Sequence, residues 1–417
     1  MKDIKIEVDS SCGTSGLPVE LQPASFSPHT WSADEKAAFN IIAIATSPPT
    51  YVGFTLADTW AHNRYFASLH SGSALRLRHE WDDLDSHQKT ILADDFGVGF
   101  PLLYLKEKLQ LDYLSPTGWW LKGLEKISGK PIKLGKKKHG PPKLPDYICV
   151  DSTGYFHAVE NKGTQTSRRM LNKQINKGIE QVENMRAGGL PHWAKAYFRS
   201  WIVGGIYIPQ HRSRSDAAMV FADPDFSDLL TELEDQDGLR RAREAVRLVS
   251  LCQQLTSIGL RQLGTALFNG RVDPGYRDLV RPTADGNAEA SFMGFRREDE
   301  SWVTSSVFRA FDTANRARGR RSAREYTLNY SIDAKVLLAL TKCFSDSGVL
   351  SRHALAQVLD EIAPLVHPDE PPNENFLLLR GLERAEKPRR WHHNFDAARS
   401  AIETPFKIRY ETIERNA

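Results

Sequence analysis

The chain has 417 residues, a hydrophobic fraction of 41% and a charged fraction of 26%, which are ordinary values for a globular protein of two or three domains. Its net charge of +3 is too small to indicate nucleic-acid binding by itself, and its four cysteines form no CxxC pair, which argues against a disulfide framework or a cysteine-rich zinc site. No signal peptide or membrane-spanning apolar run is visible, so we expect a soluble cytoplasmic protein.

Residues 1–90 are predicted to form a partly helical N-terminal extension. The segment "IKIEV" favours one strand near the start of the chain. A helix is predicted to begin at Ser32, because Asp34 and Glu35 then occupy its first turn, where acidic side chains are favourable.

Residues 91–215 show alternating helix and strand patterns, which are typical of a compact α/β unit. The predicted elements, in chain order, are a helix over 91–111, a short helix after "SPTGWW", hairpin strands Tyr147–Val150 and Tyr155–Glu160 joined by "DSTG", a helix over 167–186 and the strand "SWIVGGIYIP". The apolar stripe of the 167–186 helix consists of Leu171, Ile175, Ile179 and Val182.

The remainder of the chain is predicted to contain two further regions. Residues 216–284 are mainly helical, with a strongly amphipathic "GLRRAREAVRLVSLCQQL". Residues 285–417 are mixed and mostly helical, and they include an arginine-rich segment.

The hairpin carries charged residues beside an apolar core. If its two strands pair across the turn, Asp146 at the end of the first strand lies near Glu160 on the second, and Lys162 shares a strand face with Glu160. Carboxylates that converge in this way suit a hard divalent ion such as Mg²⁺, which offsets their repulsion. The alternative is a surface hairpin with an exposed salt bridge.

"PD" at Pro145–Asp146, followed by "ENK" at Glu160–Lys162, resembles the PD-(D/E)xK nuclease superfamily, which has the restriction-endonuclease-like fold. The resemblance covers about residues 91–210 and implies an α-β-β-β-α-β core, here with additional mainly helical N- and C-terminal regions. It also implies that Asp146, Glu160 and the backbone carbonyl of Asn161 bind Mg²⁺, with Mn²⁺ as a substitute, and that Lys162 positions the water that attacks a phosphodiester.

The same resemblance implies a further metal-binding acid on the helix before the hairpin. We predict Asp95, because it precedes Gly97 and Gly99, whose missing side chains let a backbone or substrate come close. Asp94 and Glu80 are the other candidates. The alternative role for Asp95 is the N-cap of the following helix.

Three basic segments are candidates for nucleic-acid contact, and for each the alternative is a merely solvated surface. Their members are Lys136, Lys137 and Lys138 in one loop; Arg169, Lys173, Lys177 and Gln181 on one face of the 167–186 helix; and Arg318, Arg320 and Arg321 in the arginine-rich segment.

Together these patterns predict a Mg²⁺-dependent endonuclease acting on DNA, in a microbial restriction or anti-phage defence setting. The alternative is a non-catalytic nucleic-acid-binding or scaffold protein that retains a nuclease-like fold. RNA stays open as a substrate, as do sequence specificity, nicking versus double-strand cleavage, the number of ions, and whether a homo-oligomer or a partner protein controls activity.

Overall fold

The computed structural model describes residues 1–8, 19–21, 29–50, 65, 68–129, 131–132, 144–187, 198–223, 236–273, 295–297, 302–312, 324–363, 393–395 and 399–416. The chain divides into two compact units. The first comprises residues 1–46, 55–151 and 155–250, and the second comprises residues 47–54, 152–154 and 251–417. In the described part of the chain, no helix has the length and apolar character needed to cross a bilayer.

The first unit is built on a mixed seven-stranded sheet, so the predicted α/β class is confirmed. Its strands are β1 (Lys2–Val8), β2 (His29–Ala33), β3 (Leu111–Pro116), β4 (Tyr147–Asp151), β5 (Phe156–Thr164), β6 (Phe198–Tyr207) and β7 (Ala218–Ala222). They lie in the order β2-β1-β7-β6-β5-β4-β3. The pairs β1–β7 and β5–β6 are parallel, and the other neighbouring pairs are antiparallel.

The predicted N-terminal extension is part of this sheet, since β1 and β2 form one edge of it. The helices of the unit are α1 (Glu35–Thr46), α2 (Ser86–Leu109), α3 (Thr117–Ser128), α4 (Arg168–Ala187) and the first part of α5 (Gln236–Ser257). Two short 3-10 turns cover Val19–Leu21 and His79–Asp83.

Two helices lie against opposite faces of β5. On one face, α2 crosses so closely that a Cβ added to Gly163 would lie 1.7 Å from the carbonyl oxygen of Ala93, and one added to Gly97 would lie 2.6 Å from the nitrogen of Gly163. On the other face, α4 buries Leu171 and Ile175. Side chains alternate along a strand, so Glu160 and Lys162 face α4 while Gly163 faces α2.

Two helix starts differ from the predictions. Ser32 lies in β2, and α1 begins at Glu35 behind Asp34, whose Oδ1 accepts a hydrogen bond of 3.0 Å from the N–H of Lys36. Helix α2 begins at Ser86, because Asp85 caps it by accepting from the N–H groups of two following residues. The alternative reading of Asp95 as an N-cap is therefore wrong.

Strand β3 differs from the prediction. The helix predicted over residues 91–111 includes Leu111, but Gln110 has a φ of 53°, a left-handed conformation that ends α2, and the chain continues as a strand. The strand "LDYLSP" is hard to recognise because polar residues interrupt it, and two of them, Asp112 and Ser115, are buried. Pro116 at its end fits a sheet edge, where no ladder hydrogen bond is lost.

The second unit is richer in strands than predicted. Its antiparallel six-stranded sheet has the order β11-β12-β13-β10-β9-β8. The strands are β8 (Phe295–Arg297), β9 (Trp302–Asp312), β10 (Arg324–Asp333), β11 (His393–Phe395), β12 (Arg399–Glu403) and β13 (Ile408–Asn416), and the helices are α6 (Arg261–Asn269), α7 (Ala334–Lys342) and α8 (Arg352–Ile362).

Residues 285–417 are therefore not mostly helical in their described part, and that prediction is wrong. The signal was present in β10, where Leu328, Tyr330 and Ile332 recur every second residue and are buried. The helical prediction for residues 216–284 is confirmed for α5 and α6, although β7 also falls in that range.

Candidate active site

The hairpin brings Asp146 and Glu160 together, as predicted. β4 pairs with β5 so that Tyr147 lies opposite Val159, which places Asp146 beside Glu160. The N–H of Asp146 donates to Oε2 of Glu160 at 3.0 Å, and the N–H of Asn161 donates to Oδ2 of Asp146 at 2.9 Å. Each carboxylate is thus held by a backbone donor from the other strand.

Lys162 completes this cluster. Its Nζ contacts the Glu160 carboxylate and also donates to Oε1 of Gln181 at 3.1 Å. The amide of Gln181 in turn donates to the carbonyl of Leu144 at 3.5 Å, so that α4 is joined to the segment before β4. α4 can approach because Gly178 lacks a side chain: a Cβ there would lie 3.1 Å from Cγ of Glu160.

Burial makes the two acids weak. The Glu160 side chain is 0% exposed, and burial followed by the charge of Asp146 raises the pKa of Glu160 to about 7, against the opposing influence of Lys162. Burial also raises the pKa of Asp146, while the N–H of Asn161 and the charge of Lys162 lower it. Both carboxyl groups therefore ionise less readily than exposed ones, and Glu160 titrates near neutral pH.

The three candidate helix acids occupy different places. Asp94 is exposed at the rim and interacts electrostatically with Asp146 and Lys162; desolvation raises the pKa of Asp94, and Lys162 lowers it. Asp95, the predicted ligand, accepts a hydrogen bond from the Tyr65 hydroxyl.

Glu80 lies on the 3-10 turn before α2. Its carboxylate contacts Nδ1 of His79 at 3.2 Å. Asp94 interacts electrostatically with both Asp146 and Lys162.

The donor set suits a hard cation. Within the described ranges, no group of three or more His, Cys, Asp or Glu side chains is arranged to hold a metal ion. The carboxylates of the buried Glu160 and the half-buried Asp146 nevertheless face one lysine, which leaves negative charge that a divalent ion would offset. Oε1 of Glu160 is held by Lys162 and Oε2 by a backbone N–H, so ligation would exchange these hydrogen bonds.

The predicted basic segments have different outcomes. On α4, Arg169, Lys173 and Lys177 are exposed, whereas Gln181 is half-buried against Lys162. The other predicted contacts lie outside the described residues: Lys136, Lys137, Lys138, Arg318, Arg320 and Arg321.

Sequence reasoning missed two polar features on the same strands. The side-chain amide of Asn161 is buried without a hydrogen-bond partner, on the strand face opposite Glu160. At the other end of the hairpin, His157 bonds Ser200 Oγ through Nδ1 at 2.7 Å and Asp151 Oδ2 through Nε2 at 3.1 Å. This cluster has no local sequence motif, because its members come from three strands.

No family model matches the chain, and no curated protein or solved structure matches it either.

Proposed function

We propose that this chain is a Mg²⁺-dependent nuclease, an endonuclease acting on DNA, whose core is of the restriction-endonuclease-like type. The observation that carries the proposal is the convergence of Asp146, Glu160 and Lys162 at one end of the β4–β5 hairpin. The order α2, β3, β4, β5, α4, β6 supports it, because it reproduces the α-β-β-β-α-β sequence of elements with α3 inserted after the first strand.

Asp146 and Glu160 would hold the ion, with the backbone of Asn161 and the rim acid Asp94 as further oxygen donors. When bound, Mg²⁺, or Mn²⁺ in its place, would neutralise the acids, polarise a phosphoryl oxygen and lower the pKa of a water molecule. The raised pKa of Glu160 means that protons compete for this carboxylate below about pH 7. Activity should therefore increase as the pH rises through 7.

Lys162 is the residue best placed to act on the reacting groups. Its side chain is 21% exposed, so a phosphodiester can reach the ammonium group, whereas the side chain of Glu160 is 0% exposed. Gln181 orients the ammonium from one side. In this position Lys162 can donate a hydrogen bond to the attacking water or to a phosphate oxygen on which negative charge accumulates.

The exposed row on α4 would grip the substrate backbone. Arg169, Lys173 and Lys177 follow one another at about 6 Å along the helix, and the row continues to Gln181 at the cluster. A polyanion laid along this row would lead directly to Lys162. Its affinity should fall steeply with salt.

The test compares cleavage of supercoiled plasmid by wild type, Asp146→Ala and Lys162→Ala in Mg²⁺, with EDTA as the blank. We expect each variant to lose about 10²-fold or more of the rate. Lys335→Ala, which changes an exposed lysine on α7, is the matched control and should cleave like wild type.

Equal nicking by wild type and both site variants would contradict the proposal. Wild type that shifts DNA in a gel yet gives no metal-stimulated cleavage would instead support the non-catalytic alternative. Substituting single-stranded or double-stranded RNA in the same assay decides the substrate class. A role in restriction or anti-phage defence and control by a partner protein stay predictions.

A further inference from the structure

Three histidines lie together on the surface of the first unit. His70 and His79 flank the ring of His211, with ring centroids 6.2 Å and 5.6 Å from it, and all three residues are exposed. We call them the histidine patch. They come from two loops: the segment before α2 and the connection between β6 and β7.

The patch is held on a fixed scaffold. The guanidinium of Arg76 donates to backbone carbonyls of the β6–β7 connection, among them that of His211 at 3.3 Å. Leu77 N–H donates to the carbonyl of Pro209 at 3.0 Å, and Arg78 Nε donates to the carbonyl of Leu69 at 2.8 Å. The backbone segments that carry the three imidazoles are therefore joined by hydrogen bonds.

The surroundings of the patch are cationic. Burial lowers the pKa of His70, and the charges of Lys2, His211, Arg78 and Arg76 lower it further. Lys2 reaches this place because its Nζ donates to the carbonyls of His70 and Gly72, and the same ammonium group forms an ion pair with Glu35 at 3.5 Å. Glu80 supplies a carboxylate beside His79, and the exposed Arg212, Arg214 and Asp216 continue the β6–β7 connection.

The imidazoles can act as hydrogen-bond donors. Gly72 N–H donates to Nδ1 of His70 at 3.1 Å, so the neutral ring of His70 carries its proton on Nε2. His79 and His211 each gain a second N–H on protonation. An anion at this place would offset the repulsion among the cations, so its binding and the protonation of the rings would favour each other.

We propose that the histidine patch binds backbone phosphates of a nucleic acid, outside the cleavage site, and binds them more tightly as the pH falls. This inference rests on the proposed function for its ligand class. The patch lies at the same end of the sheet as the cluster: Val203 pairs with Glu160, and β6 runs from there toward His211. The eight residues from Val203 to His211 span at most about 30 Å. The patch and the cluster could therefore contact one duplex at sites up to about nine base pairs apart.

The test measures anisotropy of a labelled 20-base-pair duplex with wild-type protein in EDTA, where no cleavage can occur, at pH 6 and pH 8. We expect wild type to bind about tenfold more tightly at pH 6, with a steeper dependence on salt. The same measurement in a Glu160→Gln background removes the carboxyl of the cluster that titrates in this range, and there the combined variant His70→Gln, His79→Gln and His211→Gln should reduce the pH difference to about twofold or less. The affinity of the combined variant at pH 8 should stay within about threefold of wild type.

His353→Gln, which changes an exposed histidine on α8, is the control and should retain the full pH difference. The inference would be overturned if the pH difference persisted in the triple variant or if His353→Gln lost it as well. It would also be overturned if the wild-type protein did not bind the duplex. Failure of cleavage in Mg²⁺ would count against the nuclease proposal alone, because this binding measurement contains no metal.

Discussion

Two polar clusters lie at opposite ends of the same β4–β5 hairpin, and they differ in charge balance and access. At one end, His157 uses both ring nitrogens, toward Ser200 and Asp151, and all three residues are almost completely buried. At the other end, Asp146 and Glu160 share Lys162, whose side chain reaches solvent.

Residue types alone would rank these clusters the other way. Ser200, His157 and Asp151 have the composition and the hydrogen bonds of a hydrolase triad, but all three are buried, so a substrate cannot reach the serine. The acid–lysine cluster has excess negative charge and an open side, which are the conditions for binding a cation and a phosphate. A polar cluster that is fully satisfied and sealed stabilises a fold, whereas one that is unbalanced and accessible can do chemistry.

The largest expected effect is on the cleavage rate, and it tests whether the acid–lysine cluster and the buried Ser200–His157–Asp151 cluster differ in function. Glu160→Gln should reduce Mg²⁺-dependent cleavage by about 10³-fold, roughly 4 kcal/mol in the barrier, because it removes a carboxylate that we propose binds the metal. Ser200→Ala should leave the cleavage rate within about threefold and lower the free energy of unfolding by about 1–2 kcal/mol. Plasmid cleavage and urea unfolding measure the two quantities; an inactive Ser200→Ala protein that is folded would reverse our assignment.

A second prediction concerns the close contact between β5 and α2 near the acid–lysine cluster. Gly163→Ala should destabilise the protein by about 3 kcal/mol or more, because its Cβ would overlap the backbone of Ala93. Gly118→Ala on α3 is the matched control, since a Cβ there meets nothing within 4 Å and should be neutral or slightly stabilising. Thermal unfolding of both variants makes the comparison, and equal melting temperatures would contradict the packing described for β5.

A third prediction concerns the effect of the Glu160 charge on protein stability. The folded pKa of Glu160 is raised, so the ionised carboxylate costs stability above about pH 7, and this cost disappears as the pH falls toward the unfolded value near 4.3. In EDTA, Glu160→Gln should therefore raise stability by about 1–3 kcal/mol at pH 8 and by less at pH 5. Melting curves at both pH values check this.

Mg²⁺ added to the same two proteins without EDTA provides the converse measurement. It should raise the melting temperature of wild type at pH 8, because a ligand that binds the folded state stabilises it, and should not do so for Glu160→Gln. A variant that is less stable than wild type at pH 8 would show that Lys162 already compensates both acids.

The smallest expected effect distinguishes the two neighbouring helix acids. Asp94→Asn should reduce cleavage by about tenfold, because Asp94 interacts with Asp146 and Lys162 at the rim. Asp95→Asn should change cleavage by less than about threefold but weaken its contact with Tyr65, which Tyr65→Phe should reproduce in a melting curve. The reverse ranking of the two cleavage rates would restore Asp95 as the metal-binding acid.

Local sequence was sufficient for the elements that carry a strong periodic signal. The hairpin, α4 and β6 were predicted within a few residues, since their apolar spacing is set by strand and helix geometry. The same alternation predicted that Glu160 and Lys162 share a face and that Asp146 lies beside them. These relations depend on residues close in sequence and on one tight turn, so little long-range information is needed.

Contacts between distant segments decided the rest. β3 and the strands of the second unit are recognised by their pairing partners, which propensity does not specify. The choice between Asp94 and Asp95 depends on the rotation of α2, which is fixed by its close contact with Gly163 some seventy residues away. The histidine patch and the Ser200–His157–Asp151 cluster likewise join separate strands and loops, because a folded chain places side chains by packing and hydrogen bonding rather than by their order in sequence.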